Sequence, residues 1–112
     1  MTLRNEIELT GTPSQVEWAE QIRLSVAREF DRVANAFRER MNRQIAPEQA
    51  ETRTVIAILE QKRIETMANT QAGYFIRDWQ ELSDQVRQMI WKDPRYQEIK
   101  DQREARLRGS QR

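Results

Sequence analysis

The chain has 112 residues, of which 38% are hydrophobic and 33% are charged, and its 19 basic and 18 acidic residues give a net charge of +1. This length suits one domain, and the balanced charge argues against disorder driven by charge repulsion. The absence of cysteine and histidine excludes disulfides, thiolate metal sites, a cysteine nucleophile and the commonest general base. We find neither an apolar run long enough to span a membrane nor a signal-peptide core, so we expect a cytoplasmic protein with no membrane partner.

With only three glycines and three prolines, the chain has few turns, which indicates an all-α fold built from long helices. Residues 1–12 are predicted to form a short extended arm that ends at Gly11 and the helix cap Thr12. Pro13 suits the first position of a helix because its missing N–H is not needed there. Gln15 has the capping-box spacing from Thr12, so the first helix is predicted to begin at Pro13.

The first helix carries a clear hydrophobic stripe with steps of three and four residues, which is typical of an amphipathic helix. Without an interruption before Pro47, it is predicted to continue to about Ile45, on the order of 50 Å in length. Leu24 lies off the stripe and is predicted to be exposed, and Trp18 lies at its edge. The stripe comprises Ala19, Ile22, Val26, Phe30, Val33, Phe37 and Met41.

Pro47 forces a break, because the residue before a proline is disfavoured in helical geometry. Beyond it a second stripe keeps its phase to residue 90, which fits either one helix over residues 47–92 or two helices that meet at residues 69–73. We favour the break, since three helices enclose a core and two do not. Residues 13–92 are therefore predicted to form an antiparallel three-helix bundle. The stripe comprises Ala50, Thr54, Ala57, Gln61, Ile64, Ala68, Ala72, Phe75, Trp79, Leu82, Val86 and Ile90.

Residues 93–112 are predicted to form a short basic helix or tail. Asp93 can cap this helix and Pro94 can begin it. Tyr96 and Ile99 supply its apolar contacts. With so few anchors, the helix is expected to fray past Arg103.

The sequence gives little support for catalysis. Two carboxylate pairs have helical spacing, Glu17 with Glu20 and Glu48 with Glu51, but a solvated face paired with arginines explains them more simply. A di-iron bundle requires histidines that this chain lacks, and no glycine-rich phosphate loop is present. We expect a protein that is not an enzyme, with no catalytic, cofactor-binding or metal-binding residues.

Nucleic-acid binding is an alternative, because most of the basic residues are arginines, which suit phosphate and base recognition. The pI of 8.1 lies below the value of about 9 that is typical of a DNA-binding domain. Only the C-terminal tail is clearly basic. Its candidate contacts are Arg103, Arg106, Arg108 and Arg112.

Protein binding fits the composition better, because three tryptophans, two tyrosines and three phenylalanines exceed what a narrow core can bury. Trp18 and Trp79 are predicted to pack against each other and seal the bundle, although Trp18 also stays a candidate for the surface. Exposed tryptophan and arginine dominate binding hot spots. The candidate partner-binding residues are Trp18, Arg23, Leu24, Tyr74, Arg77, Trp91 and Arg95.

Two segments, GTPSQVEWAEQIR from Gly11 and NTQAGYFIRDW from Asn69, resemble motifs in a set of small proteins from phages, plasmids and other mobile elements. These carry a TGSxKQxxWAxxIR opening and, further on, an ETDAKxWIDxR-like segment. Gly73 here replaces a common lysine in the second motif, and Arg77 precedes Asp78. The matching residues are Thr10, Gly11, Gln15, Trp18, Ala19, Glu20, Ile22 and Arg23 in the first motif, and Thr70, Ala72, Phe75 and Ile76 in the second.

The resemblance implies that the two segments meet, with Trp18 and Ile22 against Phe75 and Ile76, and with Arg23 bonded to Asp78 or to the end of the next helix. It also implies an accessory protein of a mobile element. Such proteins often bind host defence or replication complexes, and inhibitors of CRISPR effectors are one class of them. The sequence therefore predicts a non-catalytic protein that binds a larger protein or ribonucleoprotein complex. The alternatives are a nucleic-acid-binding protein and a helical homo-oligomer, such as a homodimer paired through the first helix.

Overall fold

The computed structural model describes residues 8–109, and over this range the chain is all helical, as predicted, apart from one isolated bridge near its start. The predicted C-terminal contact Arg112 and residues 1–7 of the predicted arm lie outside the described residues. There are five helices in the described part where the sequence predicted four. They are α1 (Pro13–Met41), α2 (Ala46–Met67), α3 (Ala72–Trp79), α4 (Gln85–Trp91) and α5 (Pro94–Gly109).

The start of α1 confirms the predicted capping box. The Gln15 N–H donates to Thr12 Oγ1 at 3.3 Å, and the Thr12 N–H donates to Gln15 Oε1 at 3.0 Å. The helix ends at Met41, four residues before the predicted end. The chain uses these four residues to reverse direction before Pro47, and Gln49 supports the turn by donating from Nε2 to the Met41 carbonyl at 3.0 Å.

The segment before α1 forms hydrogen bonds with the loop between α2 and α3, so the two motif segments meet as predicted. The Thr10 N–H donates to the Thr70 carbonyl at 2.7 Å, and the Ala72 N–H donates to the Thr10 carbonyl at 3.0 Å. Gly11 follows with a φ of 154°, and a Cβ placed there would lie 3.1 Å from the Cβ of Ala72. A glycine is therefore needed at this crossing, because it has no Cβ and tolerates positive φ.

The core lies between α1, α2, α3 and α4, and α1 contributes a continuous row of its residues. The predicted stripe of α1 is confirmed from Ala19 to Val33, all at most 9% exposed, whereas its last members Phe37 and Met41 are half-buried. Leu24 is 54% exposed, as predicted. Opposite α1, the buried core consists of Val55, Ile58, Leu59, Ala72, Phe75, Trp79, Val86 and Ile90.

The predicted stripe of α2 is wrong. Ala57, Gln61 and Ile64 are exposed, and Val55, Ile58 and Leu59 are buried in their place. Because α2 packs against α1, α4 and α5, Val55, Ile58 and Leu59 face these neighbours, and Ile64 is left 69% exposed. The regularly spaced alanines, threonine and glutamine face outward.

The predicted third helix over residues 70–92 is divided into α3 and α4, which are separated by residues 80–84. The break near residues 69–73 is confirmed, and Gln71 is the N-cap residue of α3. The next helix, α5, runs antiparallel to α2, because Arg95 contacts Gln61 at 2.6 Å and Arg103 contacts Glu51 at 3.0 Å. It stays helical to Gly109, beyond the predicted fraying point. Two long helices and three short ones thus replace the predicted three-helix bundle, in a molecule of 63 × 27 × 18 Å.

Within residues 8–109, none of the helices combines the length and the apolar character that crossing a membrane requires.

Candidate protein-binding surfaces

An exposed ridge on the outer side of α1 is formed by Trp18, Gln21 and Leu24. These residues are three positions apart, so they follow one of the side-chain rows that run obliquely along a helix. Trp18 is 46% exposed and Leu24 is 54% exposed, and Gln21 between them is exposed. We call these three residues the α1 ridge. It places two large apolar side chains in solvent about 9 Å apart along the helix axis.

The α1 ridge lies on a helix segment whose inner face is packed in the core. Directly behind it, Ala19 and Val26 are fully buried and Ile22 is 9% exposed. Arg23 is only 6% exposed, and its Nη2 pairs with Glu20 Oε2 at 2.7 Å. Arg23 is therefore bound within α1 and is not on an exposed partner-binding surface, where the sequence predicted it.

The predicted contact between Trp18 and Trp79 is wrong. Trp79 is 4% exposed, its ring lies 6.2 Å from that of Phe30, and its Nε1 donates to Tyr74 Oη at 3.0 Å. Burial of the indole inside the core leaves Trp18 on the surface. Ile22 and Phe75 share the core with Trp79 and Ile76 packs against it, so the predicted contact of the two motif segments holds for these residues and not for Trp18.

Two further predicted residues lie on α3. Tyr74 is half-buried and packs edge-on against Phe75, with ring centroids 5.0 Å apart. Arg77 is exposed, and its Nε lies 3.2 Å from Asp78 Oδ1. Arg77 is thus a partner of Asp78, whereas Arg23, predicted to bond Asp78 or the end of the next helix, pairs with Glu20 within α1. Tyr74 also lines a cavity of about 230 Å³ between α3 and α4, beside the bond that Gln85 donates to the Asp78 carbonyl.

At the junction of α4 and α5, Trp91 is 43% exposed. Beside it, Asp93 is almost fully buried and accepts from Arg95 at 2.9 Å, and Lys62 Nζ lies 3.2 Å from the same carboxylate. The Arg95 guanidinium, the Arg95 backbone N–H and Lys62 together hold the pKa of Asp93 far below its usual value, although burial opposes them. Arg95 also donates to Gln61 at 2.6 Å. Arg95 thus mainly stabilises the junction of α4 and α5, and Trp91 is the residue there that remains exposed for a partner.

Some arginines of the basic C-terminal helix form ion pairs with other residues of the chain. Arg103 Nε lies 3.0 Å and Arg106 Nη1 lies 2.7 Å from the carboxylate of Glu51, which is 13% exposed. Burial raises the pKa of Glu51, but the hydrogen bonds from Arg106 and Arg103 outweigh it and bring the pKa below its usual value. Arg108 is exposed. Two of the four predicted nucleic-acid contacts are therefore engaged in holding α5 on α2.

The sequence did not indicate an open cleft between the end of α1, the start of α2 and α5. It has a volume of about 280 Å³, and Phe37, Arg40 and Tyr96 are among its lining residues. In the sequence, Phe37 and Tyr96 stand out only as apolar positions of their helices, and Arg40 only as one of many arginines. A cleft between elements far apart in sequence leaves no periodic signal, because each helix contributes only a few residues to it.

Of the four carboxylates singled out in the sequence, Glu17 is exposed and the other three have structural partners. Glu20 pairs with Arg23, Glu48 accepts from the Ile45 N–H at 3.3 Å, and Glu51 pairs with α5. Within residues 8–109, no three acidic side chains come together in a way that could hold a metal ion.

Comparison of the chain with protein-family models, curated proteins and solved structures gives no match. The resemblance of its two motifs to mobile-element proteins therefore stays a prediction.

Proposed function

We propose that this chain is a non-catalytic accessory protein of a mobile element, which binds a larger host or defence protein, or a ribonucleoprotein complex, and inhibits it as anti-CRISPR proteins inhibit CRISPR effectors. The observation that carries the proposal is the α1 ridge. Exposed Trp18 and Leu24 stand on a helix whose opposite face is fully buried. A rigid helix that presents apolar anchors loses little entropy on binding.

The residues around the ridge also suit a protein partner. Tryptophan is enriched at binding hot spots, and large exposed apolar groups rimmed by polar residues often mark interaction sites. Glu17, Gln21, Ser25 and Arg28 surround the two anchors, and all four carry polar side chains at or near the surface. These residues provide a polar rim of mixed charge, which favours a protein surface over the phosphate backbone of a nucleic acid.

The test is affinity purification of the tagged chain from its bacterial host, with nuclease treatment, at about 150 mM and about 500 mM salt. We expect a defined protein complex that survives both treatments. The variants Trp18→Ala and Leu24→Ala are expected to lose this complex. Ile64→Ala is the matched control, because Ile64 is 69% exposed on α2 and lies away from the α1 ridge.

Each other outcome identifies an alternative. Recovery of nucleic acid that disappears at high salt would favour the nucleic-acid-binding alternative, since phosphate contacts weaken steeply with salt. Recovery of the chain alone, with a sedimentation coefficient that rises with concentration, would favour a homo-oligomer. A complex retained by both ridge variants would contradict the assignment of the ridge, and turnover of a nucleotide by the pure chain would contradict the non-catalytic function.

A further inference from the structure

The cleft between α1, α2 and α5 exists because the last helix does not close the bundle. In the described part of the chain, α5 packs on α2 and α4 and its backbone does not reach contact distance of α1. Phe37, Val55, Tyr96 and Leu107 form an apolar floor, and Arg40 and Gln44 lie on the α1 side of the opening. The floor is apolar but open to solvent, which is the composition of a binding site.

The α1 side of the opening offers hydrogen-bond donors. The Arg40 guanidinium carbon lies 5.3 Å from the centre of the Phe37 ring, and Arg40 makes no ion pair among the described residues. Gln44 also lines the opening, and its Oε1 accepts from the hydroxyl of the buried Thr52 at 2.6 Å. A positive charge and an amide therefore lie beside the apolar floor.

The charges that line the cleft also favour an anion. Arg40, Arg103 and Arg106 line it together with two carboxylates, Glu48 and Glu51. Glu48 accepts from the Ile45 N–H, and Glu51 is held between Arg103 and Arg106. The Ile45 N–H is neutral, so Glu48 keeps its negative charge, and the lining carries three arginines against two carboxylates. Within residues 8–109, no carboxylate forms an ion pair with Arg40.

The volume of about 280 Å³ limits what can enter. It lies just below the range of about 300–1,000 Å³ that is typical of sites for drug-sized ligands and cofactors. One large side chain with a neighbouring polar group fits this space better than a nucleotide does. An arginine recognises a carboxylate through charge-assisted hydrogen bonds, which are stronger than neutral ones.

We propose that the cleft binds a peptide segment in which a large apolar residue stands next to an aspartate or glutamate. The apolar side chain fills the space over Phe37 and Val55, and the carboxylate binds Arg40. This site lies about 20 Å along α1 from the α1 ridge, and it does not depend on the function proposed for that ridge. A peptide in the cleft also bridges α1 and α5, so it holds α5 more firmly to the bundle.

The experiment uses the full chain and capped, alanine-rich peptides with a central Phe-Glu pair or, as the neutral analogue, a central Phe-Gln pair. NMR titration follows the methyl groups of Val55 and Leu107, and hydrogen exchange follows the amides of α5. We expect saturable binding of the Phe-Glu peptide and slower exchange in α5. The Phe-Gln peptide is expected to bind about tenfold more weakly, because it lacks the charge-assisted bond.

Arg40→Gln is the test variant and Arg53→Gln the control, since both arginines are exposed on helices and only Arg40 lines the cleft. Arg40→Gln is expected to weaken the Phe-Glu peptide about tenfold and to make the two peptides bind equally. Arg53→Gln is expected to change neither affinity, and circular dichroism confirms that both variants fold. Equal binding of the two peptides to the wild-type chain, or no saturable binding, would overturn the proposal. The proposal would also be overturned if the wild-type chain self-associates and Arg40→Gln abolishes this association, because a second copy of the chain would then fill the cleft.

Discussion

Around Phe30, α1 is covered by α2 on one side and by α3 and α4 on the other, and almost every apolar side chain there is fully buried. From Phe37 onward, α1 and α5 lie on opposite sides of an open cleft and do not pack against each other. We call these regions the packed half and the open half. The packed half is stabilised by apolar burial. The open half relies on ion pairs, because α5 buries only Ile99 among its residues.

The difference has consequences for stability. Burial of apolar area contributes about 25 cal/mol per Å², and its loss unfolds a small domain as a unit. Ion pairs at a partly exposed surface contribute far less each and weaken with salt and acid. We therefore expect the packed half to set the global stability and the open half to loosen first.

The largest expected effect compares two phenylalanines on one helix. Phe30 is fully buried against Trp79 and lies under the Arg63 guanidinium, whereas Phe37 is half-buried at the edge of the cleft. Phe30→Ala is expected to lower the free energy of unfolding by about 3–5 kcal/mol. Phe37→Ala is expected to lower it by about 1–2 kcal/mol, because the ring already contacts solvent. Urea denaturation measures both, and equal losses would abolish the distinction between the two halves.

The next effect concerns the crossing of the two motif segments in the packed half. Gly11→Ala places a Cβ 3.1 Å from Ala72 at a φ of 154°, so we expect a loss of about 1–3 kcal/mol. Gly73→Ala is the control, because Gly73 lies in α3 and a Cβ added there would meet no atom within 4 Å. We expect that change to stabilise the chain by about 0.4–1 kcal/mol. If thermal denaturation shows that neither change alters stability, the crossing of the two motif segments does not stabilise the packed half.

Acid is expected to release the open half before the packed half. Asp93 faces Lys62 and Arg95, and Glu51 faces Arg103 and Arg106, and both carboxylates have pKa values lowered in the folded chain. Each therefore stabilises the fold above its unfolded pKa of 3.8 or 4.5, and that stability is lost as the pH falls through the folded value. Hydrogen exchange at about pH 2 and pH 7, expressed as protection factors, should show a larger loss of protection in α5 than in α1 at the lower pH. Uniform loosening would contradict this order.

The smallest effect removes one of these charges. Glu51→Gln is expected to cost about 1–2 kcal/mol locally and to speed exchange in α5 without changing that of α1. Glu29→Gln is the matched control, since Glu29 is 12% exposed and pairs with Arg32 inside α1, at 2.6 Å. That variant is expected to leave α5 unchanged. Similar exchange in α5 for the two variants would show that Glu51 does not hold this helix.

The sequence alone determined the features that depend on neighbours along the chain. The capping box of Thr12 and Gln15, the break before Pro47 and the start of α5 at Pro94 were all predictable, because hydrogen bonds within a turn and the geometry of proline act locally. The stripe of α1 was also predictable through Val33, since this helix buries a single continuous face. The exposure of Leu24, and with it half of the candidate ridge, followed from the same stripe.

The tertiary structure alone decided which residues of α2 are left exposed, which ring packs against Trp79 and where the cleft opens. The even spacing of Ala57, Gln61 and Ile64 suggested a buried face, but α2 packs against three helices, and Val55, Ile58 and Leu59 face them instead. The ring of Trp79 packs against that of Phe30, which is distant in sequence. Burial of this kind depends on the summed shape of several helices, and the periodicity of one helix does not contain that information.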